Sequence, residues 1–116
     1  MAIATGAADK GVQQVYEGVF RPVEKRYEPW LARCRKQMHA GMSELESASS
    51  GLGKDGWLSG AKMTQADITV VCAFDFLDDA FEFPVSLYPA LTTLSARCAL
   101  LPAFATTRTS FHAPKA

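Results

Sequence analysis

Excess charge of one sign is absent from this sequence. Twelve basic side chains face twelve acidic ones, so the net charge at neutral pH is zero. Binding to nucleic acid calls for a net basic face, and the balance argues against that partner. The one basic run (Arg21, Lys25, Arg26, Arg33, Arg35, Lys36) is diluted by Glu24 and Glu28 and reads as a solvated helix face. Long apolar runs are missing as well. No stretch approaches the roughly 20 residues of a membrane span, and residues 1–8 have neither the basic start nor the length of a signal peptide. The chain reads as soluble and cytoplasmic, with no membrane partner. Histidine is scarce: His39 falls on the polar side of a helix and His112 in the C-terminal tail. No Ser-His-Asp, Cys-His or paired-carboxylate spacing is present, so no catalytic residue is assigned. Asp75, Asp78 and Asp79 crowd one helix end but read as exposed carboxylates rather than metal ligands. Three cysteines at wide spacing exclude a disulfide framework and a zinc pattern. Cys34, Cys72 and Cys98 each lie in an apolar helical stripe and read as small core residues.

The 116 residues are enough for one domain with its own core, and their periodicity is helical. Val12, Val15, Tyr16, Val19, Phe20 and Val23 follow the i, i+3, i+4, i+7 template, so a first helix is expected from about Asp9. Residues 1–8 read as a flexible segment before it. Pro22 and Pro29 break or kink the chain, since each lacks the N–H that a helix interior needs, and Pro29 suits the first turn of the next helix. A second helix runs from about Pro29 to Ala48 on the stripe Trp30, Leu31, Cys34, Met38, Met42 and Leu45. Tyr27 and Trp30 read as packing between these two helices. The serine- and glycine-rich stretch Ser47–Gly56 is a loop.

A third helix is expected from a cap at Thr64 to about Ala80. It is apolar on most sides (Ile68, Val70, Val71, Phe74, Phe76, Leu77), the pattern of a helix in the middle of its domain. The β-branched run Ile-Thr-Val-Val also suits a buried strand; the cap and the length favour a helix. A fourth helix runs from about Leu87 to Leu101, ended by Pro102, with Leu87, Leu91, Leu94, Cys98 and Leu101 on one stripe. Residues 103–108 make one more short turn, and 109–116 read as a mobile tail. The class is all-α: a bundle of four long helices plus a short C-terminal turn.

The start of the third helix carries the most specific signal. Thr64 and Asp67 have the spacing of a capping box, in which the Asp67 carboxylate reaches back to the Thr64 N–H. Met63 and Ile68 occupy the two positions of a hydrophobic staple around it. Asp67 is the carboxylate most suited to burial, and it reads as a cap rather than a catalytic acid. The full string is Trp57-Leu58-Ser59-Gly60-Ala61-Lys62-Met63-Thr64-Gln65-Ala66-Asp67-Ile68. Downstream come Tyr88-Pro89-Ala90-Leu91, Arg97 and Leu101-Pro102-Ala103-Phe104. Together these segments resemble the C-terminal helical domain of the glutathione S-transferases, over roughly residues 9–108.

The resemblance implies a function. The family conjugates the glutathione thiolate to apolar electrophiles, with glutathione as co-substrate. Its thioredoxin-like N-terminal domain, which activates that thiolate, has no counterpart in these 116 residues. This chain is therefore expected to need no cofactor of its own and to lack conjugating activity alone. Its expected partners are a thioredoxin-like domain or a second copy of itself, and a small apolar electrophile. By position in the family, Tyr16, Phe20 and Arg21 are candidates for the electrophile pocket, though Tyr16 and Phe20 also fit a plain core. Phe111 is a candidate for closing over that pocket from the tail. The alternative is a non-catalytic interaction module, as such domains are in elongation factor gamma subunits and some aminoacyl-tRNA synthetase assemblies.

Overall fold

A computed structural model describes residues 1–53 and 55–113. Five helices follow in order: α1 (Ala2–Phe20), α2 (Glu28–Ser50), α3 (Gln65–Phe81), α4 (Pro89–Ala99) and the short α5 (Pro102–Thr107). One turn of 3-10 helix, Val23–Lys25, joins α1 to α2. Among the described residues the only strand-like pairing is one isolated bridge between Trp57 and Gly60. The bundle is all-α, with four long helices and a short last one. Residues 68–71 belong to α3, so the strand alternative falls away.

The first helix begins seven residues earlier than its large side chains suggest. Residues 1–8 were expected to be flexible, yet Ala2–Ala8 are helical, and Ala4 and Ala7 are buried in the core. The reason is size. Ala4, Ala7 and Gly11 recur at helical spacing and let the α1 backbone approach its neighbours closely. A Cβ built on Gly11 would stand 2.3 Å from Leu77 Cδ2, and one on Gly41 of α2 would stand 3.0 Å from the Ala7 Cβ. A real side chain at position 11 would force the buried Leu77 side chain to shift.

The main core joins α1, α2, α3 and α4 through Ala4, Ala7, Met38, Met42, Leu45, Val70, Phe74, Leu77, Tyr88 and Leu91. A second cluster of Val71, Leu94 and Cys98 lies on another side of α3, with Leu52, Trp57, Leu58 and Phe104 packed on it. α3 thus has apolar neighbours on two sides, as its composition requires. The fourth helix is shorter than expected. It starts at Pro89, and Leu87 is left outside it in a turn, exposed. No helix among the described residues is long and apolar enough to cross a membrane.

Candidate functional site

Three places bear on function. The first is the Asp67 node. Asp67 is fully buried, and its two oxygens tie a loop to a helix. Oδ1 accepts the Leu58 N–H at 2.8 Å; Oδ2 accepts the Thr64 N–H at 2.9 Å and the Thr64 hydroxyl at 3.4 Å. The carboxylate therefore serves the start of α3 and also fixes the approaching loop, a contact nine residues away that spacing alone does not reveal. Met63 stays 37% exposed, and Ile68 is half-buried.

The second place is the C-terminal end of α1. Tyr16 and Phe20 are 57% and 65% exposed, so they are not core residues. Their rings meet edge to face, 5.6 Å between centroids. Arg21 pairs with Glu17 at 2.6 Å and lines an open groove of about 650 Å3 with Lys25, Tyr27, Pro29, Trp30 and Arg33. Tyr27 is exposed, not packed between α1 and α2 as expected; after Pro22 the chain leaves the helix and carries it outward. Trp30 is also at the surface, with the Lys10 ammonium over its ring at 5.2 Å.

Arg26, which reads in the sequence as one more solvated cation, holds this corner together. Its Nε donates to the Glu17 and Arg21 carbonyls, each at 3.0 Å, and its Nη2 to the Gly18 carbonyl at 2.8 Å. A guanidinium on the last carbonyls of a helix satisfies orphan acceptors and opposes the dipole.

The third place is a cavity of about 480 Å3 between α3, α5 and the segment after it. Its walls are Ile68, Cys72, Phe76 and Asp79 on one side, Phe104, Arg108 and Phe111 on the other. Arg108 reaches Asp75 at 3.3 Å and Asp79 at 3.4 Å. The Phe111 N–H donates to Asp79 Oδ2 at 2.9 Å, and its ring meets Phe76 edge to face at 4.9 Å. Residues 108–111 thus lie on α3 instead of forming a free tail; the expectation for 114–116 falls outside the described residues. Phe111 does close over a cavity, but a different one from the groove that Arg21 lines. The four candidates Tyr16, Phe20, Arg21 and Phe111 do not form one site.

Several polar residues differ from their reading in the sequence. Asp75 and Asp79 are largely covered, because Arg108 and Ser95 reach them from later elements; the Ser95 hydroxyl donates to Asp75 at 2.6 Å. Burial pushes the Asp75 carboxyl up, and Ser95 and Arg108 only partly offset it. Asp79 is also raised by burial, but the Phe111 N–H and Arg108 outweigh that and hold it below its usual value. Cys72 is exposed at the cavity, unlike the buried Cys34 and Cys98; the partial loss of solvent around its sulfur, and then the nearby Asp75, raise its thiol. A position on α3 that faces neither core cluster accounts for its exposure. His39 is not on a purely polar face. Its Nδ1 lies 2.6 Å from the Tyr88 hydroxyl, and its ring stacks on Tyr88 beside Phe83. Burial and then Arg35 lower its basicity.

The glutathione S-transferase, C-terminal domain profile matches residues 28–105. No curated protein matches the chain. Among solved structures, a glutathione S-transferase from Methylobacterium radiotolerans, in complex with glutathione sulfonate, is 28% identical with a TM-score of 0.81. That alignment covers 99% of this chain and 51% of the other. A glutathione transferase family member from Pseudomonas fluorescens, with bound S-(propanoic acid)-glutathione, is 27% identical with a TM-score of 0.77, covering 92% of this chain and 52% of the other. The chain spans about half the length of these relatives. The order of helices, the buried Asp67 at the start of α3 and the match over residues 28–105 all agree: this chain belongs to the glutathione S-transferase C-terminal domain family.

Proposed function

We propose that the chain works as the helical half of a glutathione transferase, providing the electrophile-facing wall and a self-association surface. The observation that carries this reading is the 0.81 TM-score to half of a transferase that holds glutathione sulfonate. The wall is the exposed end of α1, with Tyr16 and Phe20 as apolar contacts and Arg21 beside them. Exposed aromatic side chains suit a small apolar electrophile, because each buries a large area at little entropic cost. Glutathione is the co-substrate, and a thioredoxin-like domain, in the same polypeptide or another, supplies the group that activates its thiolate. The same apolar surface, extended by Val23, Tyr27 and Trp30, supports association with a second copy. The cytoplasm is the compartment this chemistry fits, since reduced glutathione is abundant there.

The test is turnover. The 116 residues alone should not conjugate glutathione to a chloronitrobenzene above the uncatalysed rate. Fused behind the thioredoxin-like half of the Methylobacterium relative, they should, and Phe20→Ala in the fusion should raise KM for the aromatic substrate. Conjugation by the chain alone, or a folded fusion that stays inactive, would overturn the reading. An inactive fusion would favour the interaction-module alternative.

A further inference from the structure

Balanced charge over the whole chain conceals an excess at one corner. The open groove of about 650 Å3 between the end of α1 and the start of α2 is lined by Arg21, Lys25 and Arg33, with Glu17 as its one acid. Glu17 is paired with Arg21. Lys25 and Arg33 have no acidic partner among the described residues. Glu24 and Glu28 dilute this run along the sequence, but neither lines the groove, and Glu28 reaches Arg35 at 3.9 Å. Two helix ends of opposite polarity meet here. The negative end of α1 is already answered by Arg26, which holds the Glu17, Gly18 and Arg21 carbonyls. The positive end of α2 has no side-chain cap. The field that remains in the groove is positive.

The rest of the lining is flat and largely apolar. Tyr27, Pro29 and Trp30 belong to the same groove, and Tyr27 is largely exposed. An exposed ring beside unpaired cations suits a ligand of two parts: a heterocycle to stack, and a doubly charged group to meet Lys25 and Arg33. The groove's volume lies within the roughly 300–1,000 Å3 of small-molecule sites. We infer that it binds a nucleoside monophosphate, with the base against Tyr27 and the phosphate between Lys25, Arg33 and the open end of α2. A phosphate dianion offsets both cations and accepts from a guanidinium through two oxygens, whereas a carboxylate carries half that charge. Tyr16 and Phe20, the apolar contacts of the proposed reaction, do not line the groove, so this site stands apart from conjugation.

The experiment is a titration of the 116-residue chain followed by nuclear magnetic resonance, at a dilution that leaves Tyr27 free of a second copy. The chain has two tryptophans, and Trp57 packs on the second core cluster, away from the groove. Adenosine monophosphate should shift the Trp30 indole N–H signal in a saturable way and leave that of Trp57 in place. It should bind at least about tenfold more tightly than adenosine, which lacks the charge, and than ribose 5-phosphate, which lacks the base. Lys25→Ala and Arg33→Ala should each weaken it about five- to tenfold, and Tyr27→Ala at least about fivefold. All three side chains are exposed, so the helical circular dichroism should stay unchanged. Lys36→Ala, in the same basic run but outside the groove, should leave binding as it is. Adenosine or ribose 5-phosphate binding as tightly as the nucleotide would overturn the assignment. So would an equal loss in Lys36→Ala and Arg33→Ala, which would mean diffuse attraction only, or no shift at millimolar nucleotide. Tighter binding of phosphotyrosine, or a response only to vesicles of anionic phospholipid, would give the corner to another partner and overturn it too. No readout involves glutathione, so failure here is distinct from failure of the proposed function.

Discussion

A single carboxylate can decide whether a loop and a helix meet. Asp67 is fully buried and accepts from the Leu58 and Thr64 N–H groups at 2.8 and 2.9 Å. Asp67→Ala strands both donors in the interior, and each charged hydrogen bond lost is worth about 1.5–3 kcal/mol. We expect a loss near 3 kcal/mol in urea melts, with Asp67→Asn costing less because an amide oxygen still accepts one bond. A midpoint unchanged in Asp67→Ala would remove the capping role. The sequence pointed to this residue because half of its work is local: Thr64 is three positions away. The Leu58 bond was not legible, since it depends on how the intervening loop folds back. His39 was misread for the same reason. Arg35, Lys36 and Ser43, one helical turn away, are polar, and the aromatic partners Tyr88 and Phe83 come from more than forty residues on.

Helix ends show the same division at the scale of whole elements. α4 begins at Pro89 and has no cap from its own segment. Glu46, on α2, supplies one: its Oε2 accepts the Ala90 N–H and its Oε1 the Leu91 N–H, both at 2.9 Å. A carboxylate at a helix N-terminus also complements the dipole. Glu46→Ala should cost about 1–2 kcal/mol and should accelerate amide exchange at Ala90 and Leu91 before the rest of the core. Equal exchange in both proteins would show that water replaces the carboxylate without loss. The start of α1 is the converse case. Its first turns are held by small residues that pack closely, and a search for large apolar side chains passes over them. Ala4, Ala7 and Gly11 have the right period, but their contribution is the absence of bulk, which has meaning only opposite Leu77 and Gly41.

At the scale of the molecule, the exposed end of α1 is the surface most out of keeping with a free-standing domain. Tyr16, Phe20, Val23, Tyr27 and Trp30 are all exposed there, and contiguous apolar patches of a few hundred Å2 mark interfaces. The proposed self-association uses this face. Wild-type protein should sediment as a dimer or larger, and Phe20→Glu should shift it toward monomer. The helical signal should stay intact, because Phe20 takes no part in the core. A wild type that remains monomeric at high concentration would end that proposal.

The sequence by itself determined the all-α class, the order of the helices, the break at Pro22, the start of α2 near Pro29 and the family. Each of these rests on local chemistry: a period of 3.6, a missing N–H, or a run of residues that must stand together to cap and staple one turn. Tertiary structure alone decided which polar groups meet. It placed Arg108 on Asp75 and Asp79, Glu46 at the start of α4 and Arg26 on the end of α1. It left Cys72 open while burying Cys34 and Cys98, and it set Phe111 on α3, apart from the groove lined by Arg21. A side chain's partner across the fold depends on the crossing of helices and the path of loops, and no spacing along the chain encodes that distance.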